Sequence, residues 1–136
     1  MDNKFYVSLE AARLLKEKGY NEEVELFYNT LGELEEVNGM FCCDVADNTQ
    51  MAKYDYLSAP TKAEAIDWLE SKGIVVELRY ENDELQKDDS EWEYYIYQYD
   101  NEGRLDETVS SWGMGMFYDT RLEAEEAAII KALELL

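Results

Sequence analysis

The sequence contains no histidine, the side chain that most often transfers protons near neutral pH and most often binds transition metals. Cys–His and Ser–His nucleophile pairs are therefore excluded, because each needs an imidazole as its base. Gly113-Met114-Gly115-Met116 lacks both the lysine of a P-loop and the third glycine of a dinucleotide-binding turn. The sequence thus predicts no catalytic residue, no bound cofactor and no metal site.

Cysteine is also scarce, and the two that are present, Cys42 and Cys43, are neighbours. A disulfide between adjacent residues is strained, so we interpret both as reduced thiols, one core-facing and one outward-facing on a strand. No apolar run reaches the roughly 18 residues of a membrane-spanning helix, and the first five residues do not resemble a signal peptide. These features predict a cytoplasmic protein with no membrane partner.

Positive charge is in short supply, because 12 lysines and arginines stand against 32 acidic residues, for a formal net charge of −20. Such a chain repels nucleic-acid phosphates and anionic lipids, and it lacks the basic patch that direct nucleic-acid binding needs. A charged partner should therefore be a basic protein. The simpler interpretation is that the charge keeps the protein soluble, as a monomer or a small homo-oligomer.

The scarcity of proline and glycine, one and seven residues, excludes collagen-like and linker-like chains. The hydrophobic fraction of 46% and the charged fraction of 32% are typical of a globular fold. The length predicts a single domain over residues 1–136.

Three segments carry the start and stop signals of helices. Ser8 can cap a first helix, and Gly19 can end it in the left-handed region. Thr61 and Glu64 have the spacing of a capping box, and a similar signal precedes the last helix. The predicted helices lie within Val7–Tyr20, Ala63–Lys72 and Arg121–Leu136.

Strands are predicted between the helices. The strongest, Trp92–Tyr99, is rich in aromatic residues, and Asp100–Gly103 has the composition of a hairpin turn. Residues 33–46 fit either a strand or a helix. The other predicted strands are Val24–Tyr28, Val76–Glu81 and a return strand from about Arg104 to Trp112. The order α-β-(β)-α-β-β-β-α predicts an α+β fold, with three helices on an antiparallel sheet of about four to five strands.

Two segments are candidates for a partner surface. Alternation along the strongest strand places Tyr95, Tyr97 and Tyr99 on one face, opposite a set with tryptophan, tyrosine and isoleucine. One set should form core, and the other is a candidate contact strip, because tyrosine offers a large contact area at little entropic cost. The alternative is a sheet packed on both faces. Met114 and Met116 lie in a bend or bulge, or in a flexible segment whose methionines bind an apolar partner.

The densest acidic cluster comprises Asp83, Glu84, Asp88, Asp89 and Glu91. It lacks the fixed pattern and central glycine of an EF-hand, so we interpret it as a solvated charge run. Weak, adventitious calcium binding is the most that the cluster predicts. Because the chain holds 32 acids, some pair lies at any chosen distance, and paired carboxylates carry no prediction of an enzyme.

Three stretches, in chain order, also carry a resemblance to known proteins. They are Val7–Tyr20, Ala59-Pro60-Thr61 with Ala65-Ile66-Asp67-Trp68-Leu69, and Phe117-Tyr118-Asp119-Thr120 with Glu123, Ala124 and Ala127. In these stretches the chain resembles small uncharacterised proteins encoded by phages, prophages and mobile elements of gut Bacteroidales. That family has no established activity, so the resemblance implies no site residues. It implies a cytoplasmic accessory protein that acts during infection or on a host factor.

The missing catalytic set, the acidic surface and the tyrosines together favour a non-enzymatic protein-interaction module, an accessory or adaptor protein. One alternative is an acidic mimic of nucleic acid that inhibits a basic DNA-binding protein, and it requires acids in rows on one face. A second is a small enzyme with two close carboxylates in a concave pocket. A third is an assembly role in a phage particle, which would produce a large oligomer.

Overall fold

The computed structural model describes residues 3–41, 43–82 and 90–136. Within these ranges the fold is α+β, with five α-helices, two short 3-10 helices and six strands. The predicted fold class is therefore correct. The predicted single sheet with three helices is wrong in layout, because the strands form two separate three-stranded antiparallel sheets.

The chain divides into two compact units. The first unit ends at Ala65 and includes Leu136, and the second unit is Ile66–Leu135. The prediction of one domain over residues 1–136 stays a prediction.

The first unit is built around a short central strand. Its elements are α1 (Leu9–Glu17), β1 (Leu26–Tyr28), β2 (Leu34–Glu36), α2 (Val37–Met40), α3 (Asn48–Met51), β3 (Leu57–Ser58), the start of α4 (Lys62–Ser71) and the 3-10 helices Asn3–Phe5 and Ala52–Tyr54. The sheet order is β2-β1-β3, and Phe27 lies opposite both Glu35 and Ser58. All three side chains of β1 are buried, so this strand has a continuous apolar pattern rather than alternation.

The first helix begins and ends where its capping residues predict. The Ser8 hydroxyl accepts a hydrogen bond from the Ala11 amide at 3.1 Å. At the other end, the Tyr20 amide donates to the Leu15 carbonyl at 2.9 Å, and Gly19 has a φ of 93°. This is a Schellman motif, which needs a left-handed residue after the cap.

Residues 33–46, which fitted either a strand or a helix, contain one element of each kind. Strand β2 is followed directly by the single turn of α2, and α3 begins at a capping box formed by Asp47 and Gln50. Cys43 lies in a bend rather than on a strand, and it is an exposed free thiol whose Sγ contacts the Val45 carbonyl at 3.2 Å. Cys42 lies outside the described residues.

The second unit is a hairpin sheet with a covering helix. Its elements are the rest of α4, β4 (Ile74–Asn82), β5 (Ser90–Tyr99), β6 (Leu105–Ser110) and α5 (Arg121–Glu134). The sheet order is β4-β5-β6, and α5 packs on β4 and β5. The predicted turn joins β5 to β6, with Gly103 at a φ of 79°. The core of this unit includes Tyr94 and Ile96 from β5 and Ala128, Ile129 and Leu133 from α5.

Candidate functional site

The two faces of β5 differ in exposure. Tyr94 and Ile96 are buried on the face toward the core, whereas Tyr95 and Tyr97 on the opposite face are half-buried and Tyr99 is 54% exposed. The predicted alternation is therefore correct, and the predicted strip reaches solvent. We call Tyr95, Tyr97 and Tyr99 the tyrosine face. Its role as a partner surface stays a prediction.

The side chain of Arg79, on β4, lies across the tyrosine face. Its guanidinium carbon is 3.9 Å from the centre of the Tyr95 ring, a cation–π contact. Its Nη2 donates a hydrogen bond to the Tyr97 hydroxyl at 3.0 Å, and its Nε donates to the Glu77 carboxylate. Strand register explains the arrangement, because Glu77 lies opposite Tyr95 and Arg79 lies one pleat further along.

The surroundings of Tyr95 and Tyr97 favour the protonated form of their hydroxyl groups. Tyr95 donates a hydrogen bond at 3.0 Å to the carboxylate of Glu93, which is only 3% exposed. Burial, and then the hydrogen bond with Glu93, raises the pKa of Tyr95. Burial, and then the charge of Glu77, raises the pKa of Tyr97. Tyr95 and Tyr97 therefore present neutral hydroxyl groups among carboxylates at neutral pH.

A loop between β6 and α5 forms the second part of the candidate site. Its two ends are held on β5: the Ser111 amide donates to the Tyr94 carbonyl at 2.9 Å, and Trp92 and Tyr118 exchange main-chain hydrogen bonds at 2.8 and 3.0 Å. The Ser111 hydroxyl also accepts from the Tyr94 amide at 2.9 Å. A loop whose ends lie this close together belongs to the Ω class, which is frequently functional.

The tip of this loop exposes large apolar side chains. Met114 and Met116 are 42% and 47% exposed, and Trp112 and Phe117 beside them are 64% and 41% exposed. We call residues 112–117 the apolar loop. The sequence analysis named the two methionines as candidates, but it placed Trp112 at the end of a strand and did not include Phe117. The missed signal was the density of large apolar residues in a segment without strand alternation.

The backbone of the apolar loop is hydrogen-bonded into turns. The carbonyl of Ser111 accepts from the amides of Met114 and Met116 at 3.1 and 2.8 Å. Gly115 has a φ of 69°, and a Cβ at Gly113 would lie 3.1 Å from the Ser110 hydroxyl oxygen. The glycines therefore permit a tight fold. The segment forms turns after the end of β6 rather than a bend or bulge within a strand.

A groove of about 610 Å³ is lined in part by β4, an edge strand of its sheet within the described residues. Two carboxylates, Glu77 and Glu125, line it. Glu77 accepts from Arg79, and Glu125 is paired with Arg121 at 2.9 Å. Each of these acids is already bound to a guanidinium group, so the groove does not bring together the two close, unpaired carboxylates that acid–base catalysis would use.

The predicted acidic cluster is visible at one residue only. Glu91 is half-buried on β5, opposite Glu81 of β4. The remaining members, Asp83, Glu84, Asp88 and Asp89, lie outside the described residues. In residues 3–41, 43–82 and 90–136, no three histidine, cysteine or acidic side chains are arranged to hold a metal ion.

An aromatic cluster in the first unit escaped sequence reasoning entirely. Phe27 stacks on Tyr56 with ring centres 4.8 Å apart, and Tyr56 stacks on Tyr54 at 5.4 Å. Phe41 packs edge-on against both Phe27 and Tyr54. The cluster runs from a fully buried ring, Phe27, to an exposed one, Tyr54. Phe27 lies on a predicted strand, and Phe41 lies in the stretch that fitted either a strand or a helix.

Comparisons with protein-family models, with curated proteins and with solved structures found no match to this chain. Over the described ranges, no helix has the length and apolar composition needed to cross a membrane.

Proposed function

We propose that this chain is a non-enzymatic binding module, an accessory or adaptor protein whose apolar loop docks on a basic partner protein. The observation that carries the proposal is the exposure of four large apolar side chains on a loop whose ends are tied to β5. Trp112, Met114, Met116 and Phe117 contribute little to the core of their own unit, so folding alone does not account for them.

The construction of the loop suits binding. Because hydrogen bonds already order the backbone, a partner does not have to supply the entropy cost of ordering it. Tryptophan provides a large contact area and is enriched among the residues that dominate interface energy. Methionine is flexible and polarizable, so it adapts to the shape of an apolar pocket.

Charge decides the class of partner. The net charge of −20 repels a second copy of the chain, anionic lipids and nucleic acid, and it attracts a basic protein over long range. The partner that fits is therefore a basic protein with an apolar pocket for the loop. The resemblance to proteins of phages and mobile elements supports a cytoplasmic setting, in which such a partner is a host or phage protein.

The experiment that tests the proposal is comparative affinity capture from a cell lysate, with the captured proteins identified and their binding then reconstituted from purified components. The wild-type chain should bind one or a few basic proteins. The variant Trp112→Ser/Met114→Ser/Met116→Ser/Phe117→Ser should lose them.

The matched control is Leu31→Ser/Met40→Ser, which removes exposed apolar side chains from the first unit, 81% and 53% exposed in the wild type. It should bind the same proteins as the wild type. Loss of binding in both variants, or in neither, would overturn the assignment of the apolar loop. Absence of any reconstituted partner would overturn the function.

A further inference from the structure

We propose that the tyrosine face is a binding site for an arginine side chain of the partner, and that the chain's own Arg79 occupies this site in the unbound protein. The inference rests on the proposed function, because it names a chemical group that the basic partner presents.

The contacts of Arg79 define what the site recognises. The guanidinium group stacks on the Tyr95 ring at 3.9 Å, donates to the Tyr97 hydroxyl at 3.0 Å and donates to the Glu77 carboxylate. A π face, a neutral acceptor and a carboxylate are three kinds of group with which a planar guanidinium interacts favourably. An ammonium group makes fewer of these contacts at once, because it has no plane to stack.

The site is built without help from Arg79. The Tyr95 hydroxyl donates a hydrogen bond at 3.0 Å to the buried carboxylate of Glu93, which helps to hold the outer end of the side chain in place. Glu77 lies directly opposite Tyr95 in the β4–β5 register. Two paired strands therefore position the ring and the carboxylate, so removal of the Arg79 side chain should leave both in place.

Arg79 is placed where it can be exchanged. The side chains of Arg79 and Glu77 are 44% and 41% exposed, and ion pairs this open to water contribute little to stability. A partner that covers the face would exclude water from the site, and cation–π contacts strengthen when they are desolvated. A guanidinium group from the partner would then replace a weak internal contact with a stronger one.

The surroundings favour a cationic ligand over an anionic one. Glu77 and Glu107 both act on the Tyr97 hydroxyl, where their charges raise its pKa after the larger effect of burial, and Arg79 acts in the opposite direction. The Arg79 guanidinium is a cation in direct contact with the tyrosine face. Its displacement would leave a negative surface around three aromatic rings.

The test measures binding of a fluorescent arginine-rich peptide with glycine and serine spacers to the full chain, by anisotropy at near-physiological salt. Arg79→Ala should bind this peptide roughly tenfold more tightly than the wild type, because the competing internal guanidinium is gone. Arg104→Ala is the matched control. It removes the same charge from an exposed side chain paired with Asp100 and Glu102, and it should change affinity less than about twofold.

Two double variants test whether the gain in affinity needs the aromatic ring of Tyr95 or only the removal of the Arg79 charge. Arg79→Ala/Tyr95→Phe keeps the ring and should keep the gain in affinity, whereas Arg79→Ala/Tyr95→Leu should lose it. A lysine-rich peptide of the same length should gain clearly less than the arginine-rich one. An equal gain in Arg104→Ala, an equal gain for lysine, or no gain in Arg79→Ala would each overturn the inference.

The two proposals fail separately. If loop variants lose the natural partner while Arg79→Ala leaves peptide affinity unchanged, the arginine site is wrong and the binding module stands. If Arg79→Ala gains affinity and no natural partner is reconstituted, the site stands and the assigned function is wrong.

Discussion

The side-chain amide of Asn48 donates a hydrogen bond to the carbonyl oxygen of Tyr20 at 2.7 Å, across 28 positions of sequence. Its oxygen accepts from the main-chain amide of Ser58 at 2.9 Å. One buried side chain thus satisfies a carbonyl that follows the first helix and an amide of β3. Both of these hydrogen bonds are buried, so removal of this amide takes a hydrogen bond from each backbone group where water does not readily replace it.

Asn48→Ala should therefore lower the free energy of unfolding by about 2–4 kcal/mol, because two buried backbone groups each lose a hydrogen bond. Asn48→Asp should cost at least as much, since it turns an acceptor toward the Tyr20 carbonyl. Urea denaturation followed by circular dichroism measures both. Asn38→Ala, at an exposed position of α2, should stay within about 0.5 kcal/mol of wild type. A similar small effect for Asn48→Ala would contradict the role assigned to this side chain.

Helix boundaries were predictable because their signals act over one turn. The Thr61 hydroxyl accepts from the Glu64 amide at 3.1 Å, and the Glu64 carboxylate accepts from the Thr61 amide at 2.9 Å, as a capping box requires. The groups that define such a box lie three residues apart, so the sequence alone contains them. The Thr120 cap of α5 follows the same logic.

The division into two sheets was not predictable, because strand pairing is nonlocal. Strand β1 has three buried residues and no alternation, so its pattern does not say which strands flank it. Residues 33–36 fit a helix as well as a strand. In the structure, strand β2 occupies the end of this stretch, and helix α2 begins directly after it. Consecutive short elements of three or four residues carry too little periodicity to be told apart.

The tyrosine face was predictable in part. Alternation along one strand sufficed to group Tyr95, Tyr97 and Tyr99, since side chains alternate with period two whatever the neighbouring strands are. The position of Arg79 above Tyr95 was not predictable, because it depends on the register between β4 and β5. A shift of one residue would have moved Arg79 to the opposite face.

Two glycines should respond to alanine with opposite signs. Gly19 has a φ of 93° with open space around it, so Gly19→Ala should lower the free energy of unfolding by about 1 kcal/mol through backbone strain alone. Gly39 lies within α2, has no positive φ and also has open space, so Gly39→Ala should raise it by about 0.5–1 kcal/mol. Urea denaturation of both variants and the wild type measures these changes in the free energy of unfolding. Destabilisation of similar size in both variants would show that lost space, rather than backbone conformation, controls these positions.

Asp100 should titrate below an ordinary aspartate. Its Oδ1 accepts from the Arg104 amide at 2.8 Å and from the Glu102 amide at 2.9 Å, and these hydrogen bonds, that of Arg104 foremost, lower the pKa of Asp100. The folded state therefore favours the charged carboxylate. Its contribution to stability is complete above the unfolded-state pKa of about 3.9 and is lost as the pH falls through the lower folded-state pKa.

Carbon NMR of the side-chain carboxyl group measures this titration directly. The midpoint for Asp100 should lie below about 3.9. Arg104→Ala should keep most of the lowering, because the substitution preserves the main-chain amide that contributes most. A midpoint at or above the ordinary value, or a complete return to it in Arg104→Ala, would show that the turn does not bind the carboxylate through its backbone.

Salt should stabilise the protein, because 32 acids and 12 bases leave strong repulsion in the folded chain. The ion pairs that involve Arg104 are exposed, and pairs of that kind offset little of this repulsion. Raising the ionic strength from about 0.01 M to about 0.15 M shortens the Debye length from about 30 Å to about 8 Å, so the melting temperature should rise.

Asp106→Asn/Glu107→Gln, at two exposed positions of β6, should melt higher at low salt and respond less to added salt. A melting temperature that does not change with salt in the wild type would mean that the acids lie far enough apart, or are paired well enough, for their repulsion to be negligible. Long-range attraction of a basic partner depends on the same uncompensated charge, so that result would also remove the electrostatic argument for the partner's class.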